Sequence, residues 1–110
     1  MDFPSQIQAE FEKAEQARAR GNEGQARVCA RRAAGIAARE YYARLGRPVR
    51  SPSAYDILNL LIEDASLSED LRRSAGYLTL RVNEDFKLPV NVDLIAVARE
   101  FCNNLLLDLK

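Results

Sequence analysis

The segment of residues 22–45, NEGQARVCARRAAGIAAREYYARL, constrains the fold more than any other part of the chain. It has no proline and is rich in alanine and arginine, which both favour helix. On a helical wheel of about 100° per residue, its side chains separate into two arcs. The predicted inner arc contains Ile36, Cys29, Ala33, Ala26, Ala37, Ala30 and Tyr41. The predicted outer arc contains Arg27, Arg31, Tyr42, Gly35, Arg39 and Arg32. The segment therefore predicts a central helix whose small inner side chains let other helices approach closely.

Two helices are predicted on either side of this central one. The first covers residues 6–20, with Ser5 as its N-cap and Gly21 at its end, and Asn22 then caps the central helix. The short link between the two predicts an antiparallel hairpin. After an irregular linker, Ser53 caps a helix over residues 54–64. That helix is apolar nearly all round, so we expect it to be the most buried element.

Two more helices complete the predicted fold. Ser68 caps the fourth, whose inner stripe includes Leu71, Ala75, Leu78 and Val82. Residues 83–92 read as a loop, pinned to the bundle by Phe86, Leu88 and Val90. Residues 92–109 form the last helix, capped by Asn91 or Asp93. The predicted fold is all-α: a single domain over residues 1–110 containing about five helices, mostly up-and-down.

Charge is balanced over the whole chain but uneven along it. The net charge is zero, with +4 on residues 1–50 and −4 on residues 51–110. This balance gives no general attraction to nucleic acid or membranes, but it permits a local basic surface or self-association through complementary faces. No apolar run reaches the ~20 residues that a membrane span needs, and no signal peptide is visible at the N-terminus. We therefore expect a cytoplasmic protein with no membrane partner and with Cys29 and Cys102 reduced and buried.

Residue types that usually carry catalysis are missing or poorly placed. The chain has no histidine, which removes the commonest general base and metal ligand. Neither a CxxC motif nor a glycine-rich phosphate loop is present. Paired acids such as Glu63–Asp64 and Glu69–Asp70 are expected at solvated helix ends. We therefore predict no enzyme activity, no cofactor and no metal site.

An arginine-rich surface is the best candidate for a binding site. Arginine forks recognise phosphates and carboxylates, and thirteen of the sixteen basic residues are arginine. The candidate surface for a phosphate or a nucleic acid consists of Arg27, Arg31, Arg32, Arg39, Tyr42, Arg47 and Arg50. The alternative is a solvated outer face whose arginines pair with nearby acids, and the arginine bias itself is also typical of a GC-rich genome.

Three segments resemble the HEPN family of small helical bundles. They are ARVCARRAAGIAAREYYARLG, SAYDILNLLI and LPVNVDLIAVAREFCNNLL, which together lie within residues 20–110. The resemblance implies a bundle of four or five helices, often dimeric, that accompanies nucleotidyltransferases or binds nucleotides or RNA. Ribonuclease members of the family carry an arginine followed by a histidine. Because this chain has no histidine, neither Arg81 nor Arg99 takes that role, and a non-catalytic member is implied.

Two functions remain open from the sequence. The first is a non-enzymatic interaction domain that binds a second copy of itself, or a protein partner such as a nucleotidyltransferase. An exposed Tyr42 beside Gly35 would suit such a dimer contact. The second is a nucleotide- or RNA-binding accessory domain that uses the arginine-rich face of the central helix.

Overall fold

Five helices account for most of the chain, as the sequence predicts. A computed structural model describes residues 2–81 and 92–107, the side chain of Leu107 excepted. The helices are α1 (Phe3–Ala19), α2 (Glu23–Arg44), α3 (Ala54–Ile62), α4 (Glu69–Leu78) and α5 (Leu94–Leu107). The described residues contain no strand, so the all-α prediction is confirmed.

The first helix begins earlier than predicted. Asp2, not Ser5, is its N-cap, and the Asp2 Oδ1 accepts a hydrogen bond of 3.0 Å from the Ser5 backbone N–H. Pro4 lies in the first turn, where the N–H that proline lacks would have no helical partner. Pro4 therefore belongs to the first turn of α1, and the helix begins before it and not after it.

The hairpin of α1 and α2 follows the prediction closely. Gly21 has a φ of +80°, the left-handed conformation that ends a helix at low cost for glycine. The Asn22 side chain then accepts a hydrogen bond of 3.1 Å from the Gln25 N–H and caps α2. The short connection over residues 20–22 lets α1 fold back along α2.

Helix α2 is the centre of the bundle, but it is buried on more sides than predicted. It packs against α1, α3 and α5. Gly35 and Tyr42, both expected on the outer arc, are buried, whereas Ile36, expected inside, is only half-buried. The two-arc prediction is wrong at these positions because three neighbouring helices cover most of the circumference of α2.

Helix α3 is shorter and less buried than expected. Ser53 caps it as predicted, through a hydrogen bond from the Asp56 N–H, but it ends at Ile62 and not at residue 64. Its neighbours are α2 and α4, so its opposite face is uncovered. Leu60 on that face is 48% exposed. The expectation that α3 would be the most buried element is therefore wrong.

Helices α4 and α5 close the bundle. Ser68 caps α4, and the predicted Leu71, Ala75 and Leu78 are buried. Asp93 caps α5, accepting hydrogen bonds from the backbone N–H groups of two residues in its first turn. The buried side chains of α5 are Leu94, Ile95, Ala98, Phe101, Cys102 and Leu105. The remaining predicted packing residues, Val82, Phe86, Leu88 and Val90, lie outside the described residues, as do residues 83–91 of the predicted loop and the alternative cap Asn91.

Arg18 joins three helices at one end of the bundle. Its guanidinium lies 2.6 Å from a Glu23 carboxylate oxygen and 2.9 Å from an Asp93 carboxylate oxygen. Glu23 begins α2 and Asp93 caps α5, so the last turn of α1 is tied to both. Hydrogen bonds from Arg18 hold the pKa values of both carboxyl groups below their ordinary range.

We expect Gly35→Ala to destabilise the protein. A Cβ on Gly35 would lie 2.9 Å from the Ala54 Cβ and 3.2 Å from the Ala54 Cα. The overpacking cost of about 1–3 kcal/mol exceeds the gain in helix propensity of about 1 kcal/mol. Urea unfolding measures the difference. Gly76→Ala in α4 is the matched control: nothing lies within 4 Å of its new Cβ, so it should raise stability by about 0.5–1 kcal/mol. Equal effects of the two changes would contradict the close α2–α3 contact.

We expect Arg18→Gln to weaken the pH dependence of stability. Because the Glu23 and Asp93 pKa values are lowered in the folded state, both groups stabilise the fold at neutral pH. This contribution is lost as the pH falls through their folded pKa values. Without Arg18, the free energy of unfolding at pH 7 should fall by about 1 kcal/mol, with little difference from wild type near pH 2. Arg20→Gln, at an exposed neighbouring position, is the control. A loss that is the same at both pH values would contradict the ion-pair explanation.

Candidate functional site

The seven predicted surface residues do not form one patch. Arg27, Arg31, Arg32 and Arg39 line two adjoining cavities along α2. Tyr42 and Arg47 line a different cavity, beside Asp64. Arg50 is exposed and lines none of these cavities.

The two cavities along α2 adjoin each other, and we call them together the arginine groove. The larger has a volume of about 440 Å³ and lies between α1, α2 and the start of α3. The smaller, of about 270 Å³, lies between the start of α2, Tyr55 and the residues after α4. Val28, Arg31 and Tyr55 line both, so the Arg31–Tyr55 pair stands where the two cavities meet.

Arg31 is held rigidly at the middle of the groove. Its Nε donates a hydrogen bond of 2.6 Å to the Leu78 carbonyl at the end of α4. Its guanidinium carbon lies 4.4 Å from the centre of the Tyr55 ring, and that of Arg81 lies 4.7 Å from the same centre. Burial lowers the pKa of Arg31, and the neighbouring Arg81 charge lowers it further, although Tyr55 opposes the shift. The two guanidinium groups beside one ring concentrate positive charge at this position.

The arginines of the groove lack the acidic partners found elsewhere. Outside the groove, five arginines form ion pairs with carboxylates within 4.0 Å: Arg18, Arg44, Arg47, Arg73 and Arg99. Within residues 2–81 and 92–107, no carboxylate lies that close to the arginines lining the groove, which are Arg27, Arg31, Arg32, Arg39 and Arg81. Arg27 still interacts electrostatically with Glu23, at more than 4.0 Å.

The start of α3 forms one wall of the larger cavity. Arg39 donates a hydrogen bond of 3.3 Å to the Ser51 carbonyl, which ties the linker to α2. Ser53 and Ala54, at the N-terminus of α3, also line the cavity. The N-terminal end of a helix carries a partial positive charge that adds to that of the arginines. One acid, Glu10 of α1, lines the opposite wall.

Tyr42 has a structural role that the sequence prediction missed. It is 2% exposed, so the expected surface position and the dimer contact built on it are wrong. Its hydroxyl donates a hydrogen bond of 2.8 Å to an Asp64 carboxylate oxygen, and burial raises the pKa of Tyr42. Arg47 lies over the Tyr42 ring and 3.8 Å from the same carboxylate. The turn after α3 covers Tyr42, and the helical wheel of α2 carries no sign of that turn.

The charged and aromatic groove residues that were not among the predicted site residues are Glu10, Tyr55 and Arg81. Each belongs to a different element and lies far from Arg31 in the sequence. Tyr55 lies in the helix that was predicted to be apolar nearly all round. Only the packing of α1, α3 and the end of α4 on α2 brings them together.

Comparison with known proteins gives no family for this chain. No protein-family model matches it. No match was found among curated proteins or among solved structures either. The HEPN resemblance is therefore supported by the sequence segments alone.

Two further features of the described residues bear on the site. Within residues 2–81 and 92–107, no group of three or more acidic or cysteine side chains is arranged to hold a metal ion. Every helix in the same ranges is too short or too polar to cross a bilayer.

Cys29 and Cys102 are free and buried, and burial raises the pKa of Cys102 to about 12, which makes its thiolate rare at neutral pH.

We expect Tyr42→Phe to lower stability by about 1–2 kcal/mol, because it removes a hydrogen bond to a carboxylate. Thermal or urea unfolding measures the change. Tyr77→Phe is the matched control, since the Tyr77 hydroxyl has no hydrogen bond to a described residue and its removal should change little. If the two variants are equally stable, the Tyr42–Asp64 hydrogen bond does not hold the turn after α3.

Proposed function

We propose that this protein is a non-enzymatic binding domain that holds a nucleotide or single-stranded RNA in the arginine groove. One observation carries the proposal: none of the five arginines lining the groove has a carboxylate within 4.0 Å among the described residues, while five of the eight arginines outside it do. A phosphate would supply the missing negative charge.

The groove is a better binding site for a phosphate than an open, solvated surface would be. Arg31 is half-buried and lies beside Arg81, so their mutual repulsion is less screened than it would be in water. An anion between them relieves that repulsion and accepts hydrogen bonds from planar forks. The Leu78 carbonyl accepts from the Nε of Arg31, and the terminal nitrogens of Arg31 have no hydrogen bond to another described residue.

An aromatic ring and a suitable volume add to the case. Tyr55 lines both cavities, and rings and guanidinium planes are the surfaces on which unpaired bases stack. A cavity of about 440 Å³ is within the range that small ligands occupy. Phosphate contacts supply affinity in such sites, and stacking supports bases without a strict sequence requirement.

Other expectations from the sequence remain predictions. They are HEPN-type membership, a cytoplasmic location, and association with a second copy or with a nucleotidyltransferase. Among the described residues, the exposed large apolar side chains are Leu45 and Leu60. They leave less apolar surface for a dimer than the sequence suggested, once Tyr42 is buried. Light scattering over a concentration series measures the oligomeric state.

We expect a labelled single-stranded RNA of eight nucleotides to bind, with an affinity that falls as salt rises. If about three phosphates enter the groove, the logarithm of affinity should fall with the logarithm of salt with a slope of about −2. Between 50 and 200 mM salt, that slope corresponds to a loss of about 20-fold. Fluorescence anisotropy measures both values.

The double variant Arg27→Gln/Arg32→Gln should weaken this binding at least about tenfold and leave the fold intact, because neither side chain has a hydrogen bond within the described residues. Arg20→Gln/Arg50→Gln removes the same charge from exposed positions outside the groove and should change affinity less than about threefold. Equal losses in the two variants would mean that net charge, not the groove, attracts RNA. Absence of binding at 50 mM salt would overturn the proposal.

A further inference from the structure

Among the described residues, Glu10 is the acid that lines the larger cavity, and its environment is unusual. One of its carboxylate oxygens, Oε1, lies 3.5 Å from the ammonium of the exposed Lys13. The other, Oε2, is buried and has no hydrogen bond within the described residues. A buried carboxylate oxygen without a donor is costly, so this carboxylate gains from any ligand that supplies one.

Glu10 faces the same cavity as three arginines without closing an ion pair on any of them. Arg31, Arg32 and Arg39 all line that cavity, yet the cation within 4.0 Å of Glu10 in the described part of the chain is Lys13. A gap therefore separates an acceptor on α1 from donors on α2. Apolar and small residues line the rest of the gap: Val28, Gly35, Ile36 and Ala54. A flat, polar-edged ring fits this arrangement.

The smaller cavity differs in its charge. Its lining includes Arg27, Arg31 and Arg81, and no acid from the part of the chain that the structure describes. This difference would orient a ligand that has an anion at one end and both hydrogen-bond donors and acceptors at the other. Its anion would lie in the smaller cavity, and its other end would lie in the larger one. A nucleotide has this polarity.

Given the proposed function, on which this inference rests, we infer that the groove selects a guanine base, whose donor edge binds Glu10 and whose acceptor edge faces the arginines of α2. Guanine combines adjacent N–H donors at N1 and N2 with acceptors at O6 and N7, and arginine binds that acceptor pair with both arms of its fork. Adenine and cytosine each offer a single amino group. Because Oε2 is buried, the base would reach both oxygens only after rotation about the last bond of the Glu10 side chain, which is soft.

Competition by mononucleotides against the labelled RNA at 50 mM salt tests this inference. GMP should displace the RNA at a concentration at least about tenfold lower than AMP. IMP, which lacks the N2 amino group, should fall between the two. Glu10→Gln should abolish the difference between GMP and IMP, while Glu12→Gln, at an exposed position on the same helix that does not line the groove, should preserve it. Unfolding curves verify that both variants fold.

The outcomes separate the inference from the proposed function. If GMP and AMP compete within about twofold of each other, or if Glu10→Gln leaves the GMP–IMP difference unchanged, base selection by Glu10 is overturned while RNA binding stands. If no mononucleotide displaces bound RNA, base selection is overturned as well. If the RNA itself does not bind, both proposals fail together.

Discussion

Close approach of helices to α2 is the constraint on which the rest of this structure depends. Alanines along α2 let α1, α3 and α5 pack near its backbone, and Gly35 takes this furthest. A single added Cβ there would come within 2.9 Å of Ala54. Ala54 begins α3, and Tyr55 follows it, so this one contact sets how near the Tyr55 ring lies to Arg31. The arginine groove exists because α3 is held this close to α2.

Arginines serve two distinct purposes in this fold. Some form ion pairs that join elements, as Arg18 does with Asp93, Arg47 with Asp64 and Arg99 with Glu15. The opposite charges of the two halves of the chain are partly neutralised within the molecule by such pairs, which reduces the case for self-association through complementary faces. The arginines of the groove remain without acidic partners among the described residues, so the basic surface is local and does not follow from net charge.

The groove also has a direction. Among the described residues, the charged side chains of its smaller cavity are all arginines, while its larger cavity combines arginines with the Glu10 carboxylate. Sites of one charge attract any anion, but a site with an acceptor opposite donors discriminates between ligands of the same charge. Affinity and selectivity would then come from different parts of one surface, the first from phosphate contacts and the second from a base edge.

Local signals in the sequence determined the helices and several of their caps. Gly21, Asn22, Ser53 and Ser68 act within a few residues of their own position, so their roles could be predicted without tertiary information. The face of each helix was harder to predict. A helical wheel assumes one buried side, but α2 has three neighbouring helices. The prediction that Tyr42 and Gly35 lie on an outer arc was therefore wrong.

The candidate site shows the same division. The sequence by itself determined that α2 carries a row of arginines, because their spacing along one helix is a local property. Tertiary structure alone decided which of them face a groove, that Arg47 pairs with Asp64 instead, and that Glu10, Tyr55 and Arg81 join the site. These residues come from separate elements, and no periodicity along the chain encodes how α1, α3 and the end of α4 pack around α2. Helices follow from neighbours in sequence, whereas a site of this kind follows from neighbours in space.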